Sequence, residues 1–173
     1  MTRKILLQLI PAQPRLSVIT KSALVVRDID LLQQIPACEV AFSFSTADET
    51  LRRLLEPYAS SVEEKTDALR RLHEAGIRTA VMAAPLLPEL SNWQEIIEKT
   101  APFTDVYRFD GLNMHGPLRT RRIMDFIDVH YPHLLPLYAR IYVEGDGSYF
   151  RQLAAQIRAY CAARARRAEI FFG

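Results

Sequence analysis

Cysteine is nearly absent from this 173-residue chain: there are two, Cys38 and Cys161, far apart and in no Cys-x-x-Cys or Cys/His spacing. That argues against a disulfide framework or an autonomous metal site, and it fits a reducing cytoplasm. Neither sign of charge is in surplus. Twenty-two basic against twenty acidic residues leave a net charge of +2, too little to indicate a nucleic-acid partner. The one basic cluster, Arg158, Arg164, Arg166 and Arg167, reads as a solvated helix face. Long hydrophobic runs are missing as well. The apolar part of "MTRKILLQLIPAQP" ends at Pro11 and Pro14; it is shorter than a membrane span, carries no small-residue cleavage signal and is expected to form a short helix.

What remains is an ordinary globular composition. At 49% hydrophobic and 24% charged content, the chain can bury a core. It contains no solenoid-length repeat, low-complexity tract or Gly/Ser linker, so residues 1–173 are expected to form one domain. Short β-branched or aromatic runs alternate with helical patterns. "LSVIT" (16–20), "EVAFSFS" (39–45), "RTAVMAA" (78–84) and "DVYRF" (105–109) read as strands; 28–34, 48–55, 61–75 and 92–100 read as helices. The third helix opens on "SVEE", with capping-box spacing from Ser61 to Glu64, and closes at Gly76, where a left-handed cap is expected. Strand, crossover helix and strand in repetition predict a parallel α/β sheet. After Gly111 the pattern turns helical, over about 119–130, 134–142 and 149–165, with a short apolar end "EIFF". The expected layout is therefore a β/α half-barrel segment over 1–113 and a helical C-terminal cover over 114–173.

In a parallel α/β protein the loops at the carboxyl ends of the strands converge on a crevice. Here those tips are "TKS" (20–22), "SFST" (43–46), "AAPLLP" (83–88) and "FDGLN" (109–113). Lys21 offers a compact cation beside Ser22, Ser43 and Ser45 offer hydroxyls, and Ala84 offers a closely approachable backbone before Pro85. Such a set suits an anionic, purine-bearing ligand, with the ammonium on a carboxylate or phosphate, hydroxyls on a ribose and main chain on a base edge. One residue of this kind at a strand end needs no function; several at the same end of successive strands carry the argument. Glu56, in "LEP", reads either as a pocket-lining carboxylate or, with more weight because Pro57 forces a boundary there, as a helix-terminal structural residue. His115, His130 and His133 lack metal-ligand spacing. Tyr138, Tyr142, Tyr149 and Tyr160 read as a packed stripe, and Trp93 as a core or lid residue.

The stretches "SVITKSALVVRDIDLL" and "VAFSFSTADETLRRLLEPYASSVEEKTDALRRLHEAGIRTAVMAAPLLP", followed by "FDGLNMHG", "HYPHLLPLYARIY" and "GDGSYF", resemble the spore photoproduct lyase-like branch of the radical S-adenosylmethionine superfamily over nearly the whole chain. The resemblance implies a partial (β/α) barrel with S-adenosylmethionine lying across the strand tips. It implies that Lys21 pairs with the methionyl carboxylate, Ser43 bonds the methionyl or ribose end, and the Ala84 backbone meets the adenine, with Ser22 and Ser45 nearby. The implied chemistry is reductive cleavage of the cofactor by a [4Fe-4S] cluster, giving a radical that takes hydrogen from a substrate.

The sequence departs from that family in one respect that matters. The Cys-x3-Cys-x2-Cys loop whose thiolates hold the cluster does not occur, nor does the glycine-rich segment after the second family strand. Cys38 and Cys161 read as ordinary buried thiols. Met1 aligns with the helix leading into the fourth family strand, so the chain is expected to correspond to a C-terminal half, catalytically incomplete by itself. Its expected partner is an N-terminal half carrying the cluster, or a second copy joined at an exposed sheet edge where Leu16, Val18 and Val40 lack cover. A non-enzymatic remnant or small-molecule binding module is the alternative, and a nucleic-acid-binding domain a weaker one.

Overall fold

The computed structural model describes residues 2–112 and 116–173. Expectations placed on Asn113 and His115 lie outside the described residues. Five parallel strands form one sheet in the order β1-β2-β3-β4-β5: β1 (Leu16–Thr20), β2 (Cys38–Phe44), β3 (Arg78–Leu86), β4 (Val106–Gly111) and β5 (Ala168–Ile170). The helices are α1 (Thr2–Leu9), α2 (Ile29–Leu32), α3 (Glu49–Leu55), α4 (Val62–Glu74), α5 (Trp93–Thr100), α6 (Pro117–His130), α7 (Leu135–Tyr142) and α8 (Ser148–Ala163). This is an α/β architecture, a partial (β/α) barrel segment with a largely helical C-terminal part.

Local signals set the crossovers. Ser61 accepts from the Glu64 amide while the Glu64 carboxylate accepts from the Ser61 amide, so α4 starts with the expected capping box. Its end turns at Gly76, φ +75°, with the Ile77 amide donating to Leu72 O at 3.1 Å. This is the left-handed cap that glycine adopts without a steric penalty.

Strand register divides the sheet into two unlike faces, because successive side chains point to opposite sides. Val40, Phe42, Phe44, Val81, Ala83, Tyr107 and Phe109 belong to the main core, together with Leu6 of α1, Leu31 and Leu32 of α2, Leu69 and Leu72 of α4, Ile96 and Ile97 of α5 and Ile157 of α8. Helices α1, α2, α4, α5 and α8 therefore pack against this face, as on the outside of a barrel. The other face carries Ala41, Ala80 and Val106, which form a small separate cluster. Toward the amino ends of the strands, this second face also carries an ionic ladder. Glu39 of β2 pairs with Arg78 of β3 at 3.2 Å and with Arg108 of β4; Arg108 Nε reaches Glu169 of β5 at 2.9 Å. The ladder joins four strands through charge-assisted bonds.

Three sequence expectations change. The segment after Gly111 is not wholly helical, because 168–170 pair with Tyr107, Arg108 and Phe109 as a fifth parallel strand. Val40 needs no further cover: it is 0% exposed, and Leu16 and Val18 are packed against the same core, whereas Ile19 on the other face is 60% exposed. The four arginines do not share one helix face. Arg158 is exposed on α8 and Arg164 lies 3.6 Å from the Tyr160 ring centroid. Beyond the helix, Arg166 donates to Ala101 O at 2.9 Å and Arg167 pairs with Glu169 at 3.2 Å.

Candidate functional site

All five strands run in parallel, so their carboxyl ends share one rim of the sheet. At the β1 end, Lys21 Nζ donates to Ser43 Oγ at 2.8 Å and to Glu56 Oε1 at 2.7 Å; Ser43 Oγ in turn donates to Ala84 O at 3.1 Å. One hydrogen-bonded row thus crosses the tips of β1, β2 and β3 and joins the three residues that the sequence singled out. Neighbouring segments hold Lys21 in place. Its carbonyl accepts from the Ser60 amide at 3.0 Å, and Ser22 caps the 3-10 turn at 23–28 by accepting from the Leu24 amide at 3.3 Å. The Ser22 hydroxyl therefore has a local structural partner and stands outside the row.

Glu56 does more than end a helix. It follows α3 and brings its carboxylate to Lys21, so the lysine already has an anionic partner within the chain. Arg52 positions this segment by donating to Glu56 O and Ala59 O, each at 2.9 Å, while its Nη2 pairs with Glu49 Oε1 at 2.7 Å. Two polar atoms at the rim have no hydrogen-bond partner among the described residues, Glu56 Oε2 and Ser45 Oγ, both buried. Ser45 is 1% exposed. A buried polar atom left unpaired costs about 1–3 kcal/mol, so each of these atoms favours any group that can pair with it.

Behind the row lies Lys65 of α4, 0% exposed. Its Nζ donates to Ser43 O at 3.1 Å and lies 4.2 Å from the Phe44 ring centroid. Burial pushes this ammonium down to about 8, against the opposing pull of the Glu56 carboxylate and with Lys21 adding to the lowering. The sequence reading missed Lys65, although a signal was present. Val62, Lys65, Ala68, Leu69 and Leu72 share the buried face of α4, and their 3/4 spacing places the lysine on it.

The remaining candidates lie elsewhere. Cys38 opens β2 at the rim opposite Lys21, Cys161 sits in α8, and both thiols are free and buried; burial raises the pKa of each. No group of three or more His, Cys, Asp or Glu residues among the described residues could hold a metal ion. Trp93 is a core residue, edge-on to Phe109 and Tyr160. Tyr138 is fully buried and donates to Pro88 O at 3.1 Å, with Tyr142 5.6 Å away between ring centroids. No helix among the described residues is long and apolar enough to cross a membrane.

No family model matches the sequence. Among curated proteins, the chain is 35% identical over 132 residues to an uncharacterized protein of Methanocaldococcus jannaschii, a match covering 76% of this chain and 49% of that protein. It is 32% identical over 88 residues to an uncharacterized protein of Acidianus two-tailed virus, covering 50% of this chain and 29% of that one. It is 30% identical over 140 residues to an uncharacterized protein of Mycobacterium tuberculosis, covering 75% and 40%. The chain thus spans half or less of the length of these relatives. Among solved structures it superposes on SuiB of Streptococcus suis, crystallised with S-adenosylmethionine, at a TM-score of 0.63 and 12% identity; 97% of this chain and 33% of that one are covered. At that identity the likeness is one of fold.

Proposed function

We propose that the rim formed by Lys21, Ser43, Ala84 and Glu56 binds S-adenosylmethionine, and that the chain is part of a radical S-adenosylmethionine protein resembling spore photoproduct lyase. The observation that carries this reading is the hydrogen-bonded row across three strand tips, flanked by two unpaired polar atoms. The residues fit the methionyl end of the cofactor, which carries both an ammonium and a carboxylate. Lys21 has three donor hydrogens, of which Ser43 and Glu56 take two, leaving one for a ligand carboxylate. Glu56, whose Oε1 accepts from Lys21, brings the negative charge that complements the ligand ammonium, and the Ser43 hydroxyl lies in the same row. The fold likeness to a protein crystallised with this cofactor supports the same reading.

The residues do not fit the cluster. Both thiols are buried, one at the opposite rim and one on α8, so ligands for iron would have to come from outside the described residues. Without them the same rim serves as a small-molecule binding site with no redox step. S-adenosylmethionine supplies a source of radical chemistry only where a reducing cluster accompanies it; this chain's part is to bind and orient it.

Isothermal titration calorimetry of S-adenosylmethionine against the chain and its Lys21→Ala variant tests the site. Loss of one charge-assisted contact should weaken binding by about 1.5–3 kcal/mol. Equal affinities would remove Lys21 from the site.

A further inference from the structure

The amino ends of the strands carry a second charged region, on the rim opposite Lys21. Arg78 opens β3, Arg108 lies in β4 and Arg167 stands just before β5, and two carboxylates tie their guanidinium groups together. Arg78 Nε and Arg108 Nη2 both reach Glu39 Oε2, each at 3.2 Å. Arg108 Nε reaches Glu169 Oε2 at 2.9 Å, and Arg167 Nη2 reaches Glu169 Oε1 at 3.2 Å. A cleft of about 420 Å³ opens beside them, lined by these three arginines and by Arg15, the residue before β1. Cys38 at this rim and Ser43 in the Lys21 row stand at opposite ends of β2, roughly 16 Å apart at the usual rise of a strand, so the two regions are distinct.

The hydrogen-bonding capacity of this rim is unevenly committed. Arg108, less than one-fifth exposed, gives Nε, Nη1 and Nη2 to the two glutamates. The arginines around it do not. Arg78 and Arg167, 48% and 63% exposed, each engage a single side-chain nitrogen, which leaves both Nη groups of Arg78 and the Nε and Nη1 of Arg167 without a partner among the described residues. Arg15 is exposed and makes no side-chain hydrogen bond or ion pair among them. Asp105, on the wall of an adjoining cleft that shares Arg78 and Arg167, is occupied by the Thr79 amide and hydroxyl, at 2.7 and 3.2 Å. Four guanidinium groups thus stand against the carboxylates of Glu39 and Glu169, and the surplus positive charge comes with free, fork-shaped donors.

We propose that this rim binds a small anion carrying two or more phosphoryl groups, with Arg15, Arg78 and Arg167 donating to the phosphate oxygens while Arg108 keeps Glu39 and Glu169 engaged. Guanidinium forks match pairs of phosphate oxygens. The three free ones issue from the starts of β1, β3 and β5, alternate strands whose backbones lie about 10 Å apart, so a run of phosphates meets them better than one phosphate does. The whole chain has a net charge of only +2, too little for the many backbone contacts that hold a nucleic acid, and the ligand is therefore a small one. The site does not rest on the cofactor assigned to the Lys21 rim.

The test is calorimetric titration of inorganic triphosphate into the chain, without any other ligand and at one fixed ionic strength, because salt screens exposed charges. Saturable binding is expected, on the order of tenfold tighter than that of inorganic phosphate. Arg15→Gln, which removes no hydrogen bond or ion pair among the described residues, and Arg78→Gln should each weaken it roughly five- to tenfold. Arg53→Gln, exposed on α3 beyond the carboxyl end of β2, should bind triphosphate like the wild type. Absence of binding, unchanged affinity in either rim variant, or an equal loss in Arg53→Gln, the sign of diffuse charge attraction, overturns the proposal. So does displacement of triphosphate by a single-stranded DNA oligonucleotide at a lower phosphate concentration, which would assign the rim to nucleic acid.

Discussion

An ammonium group shut away from water behind a strand tip is costly to fold around. Lys65 bonds one backbone carbonyl and faces one ring, and these, with the pull of the Glu56 carboxylate, repay only part of the lost hydration. The direction of its pH dependence follows. In the folded chain Lys65 releases its proton near pH 8, whereas in the unfolded chain it holds the proton to about pH 10.4. Between those values the unfolded state carries more protons, so stability rises with pH. Measured against Lys65→Met, which lacks the titrating group, the wild type should gain up to about 3 kcal/mol between pH 7.5 and 10.5. Urea denaturation of both proteins at several pH values checks this; a gap that stays constant would show that Lys65 titrates normally. The residue also marks a limit of reading. That Lys21, Ser43 and Ala84 share one rim was legible because all three stand at strand ends, whereas Glu56 carried more weight as a helix terminator than as a pocket residue. Its contact with Lys21 spans 35 positions, and no local pattern encodes that.

At the scale of elements, the second face of the sheet depends on the ladder through Glu39. Glu39 and Arg108 are each less than one-fifth exposed, so removing one leaves the other short of a partner in a poorly hydrated place. Glu39→Ala should cost about 2 kcal/mol of stability, and the double variant Glu39→Ala/Arg108→Met should lose less than the sum of the single losses. Denaturant midpoints decide; strict additivity would mean the pair is decorative. The four longer strands were readable because each has a β-branched or aromatic run bounded by breakers. β5 was not, since three residues show no period and its pairing is held by distant groups, such as the Tyr107 amide donating to Arg167 O at 2.9 Å. The ladder was hidden for a related reason. Glu39, Arg78, Arg108 and Glu169 each look like a solvated strand residue until the register aligns them, and register across a long crossover is not written in either strand.

The whole molecule has a strand at each end of its sheet, and β1 is the longer of the two. Its outer backbone groups pair with no strand among the described residues, and Ile19 stands beside them, mostly exposed. Edges of this kind recruit strands. We expect the chain to self-associate as its concentration rises and Ile19→Lys to shift it toward monomer, read by size-exclusion chromatography with light scattering. A wild type that stays monomeric across the range would show that this edge is protected.

The order of the strands in space is also their order in the chain, with no inversion. Each strand from β2 onward therefore follows its neighbour in the chain, and every pairing from β1 to β4 closes a loop spanning only one crossover. Such growth keeps loop-closure entropy small at each step. The exception is β5, which pairs with β4 only after α6, α7 and α8 have intervened. Of the five strands β5 thus has the longest loop to close before it pairs, and with it come Glu169 to the ladder and Phe171 to its place beside Gly111, Tyr142 and Phe150.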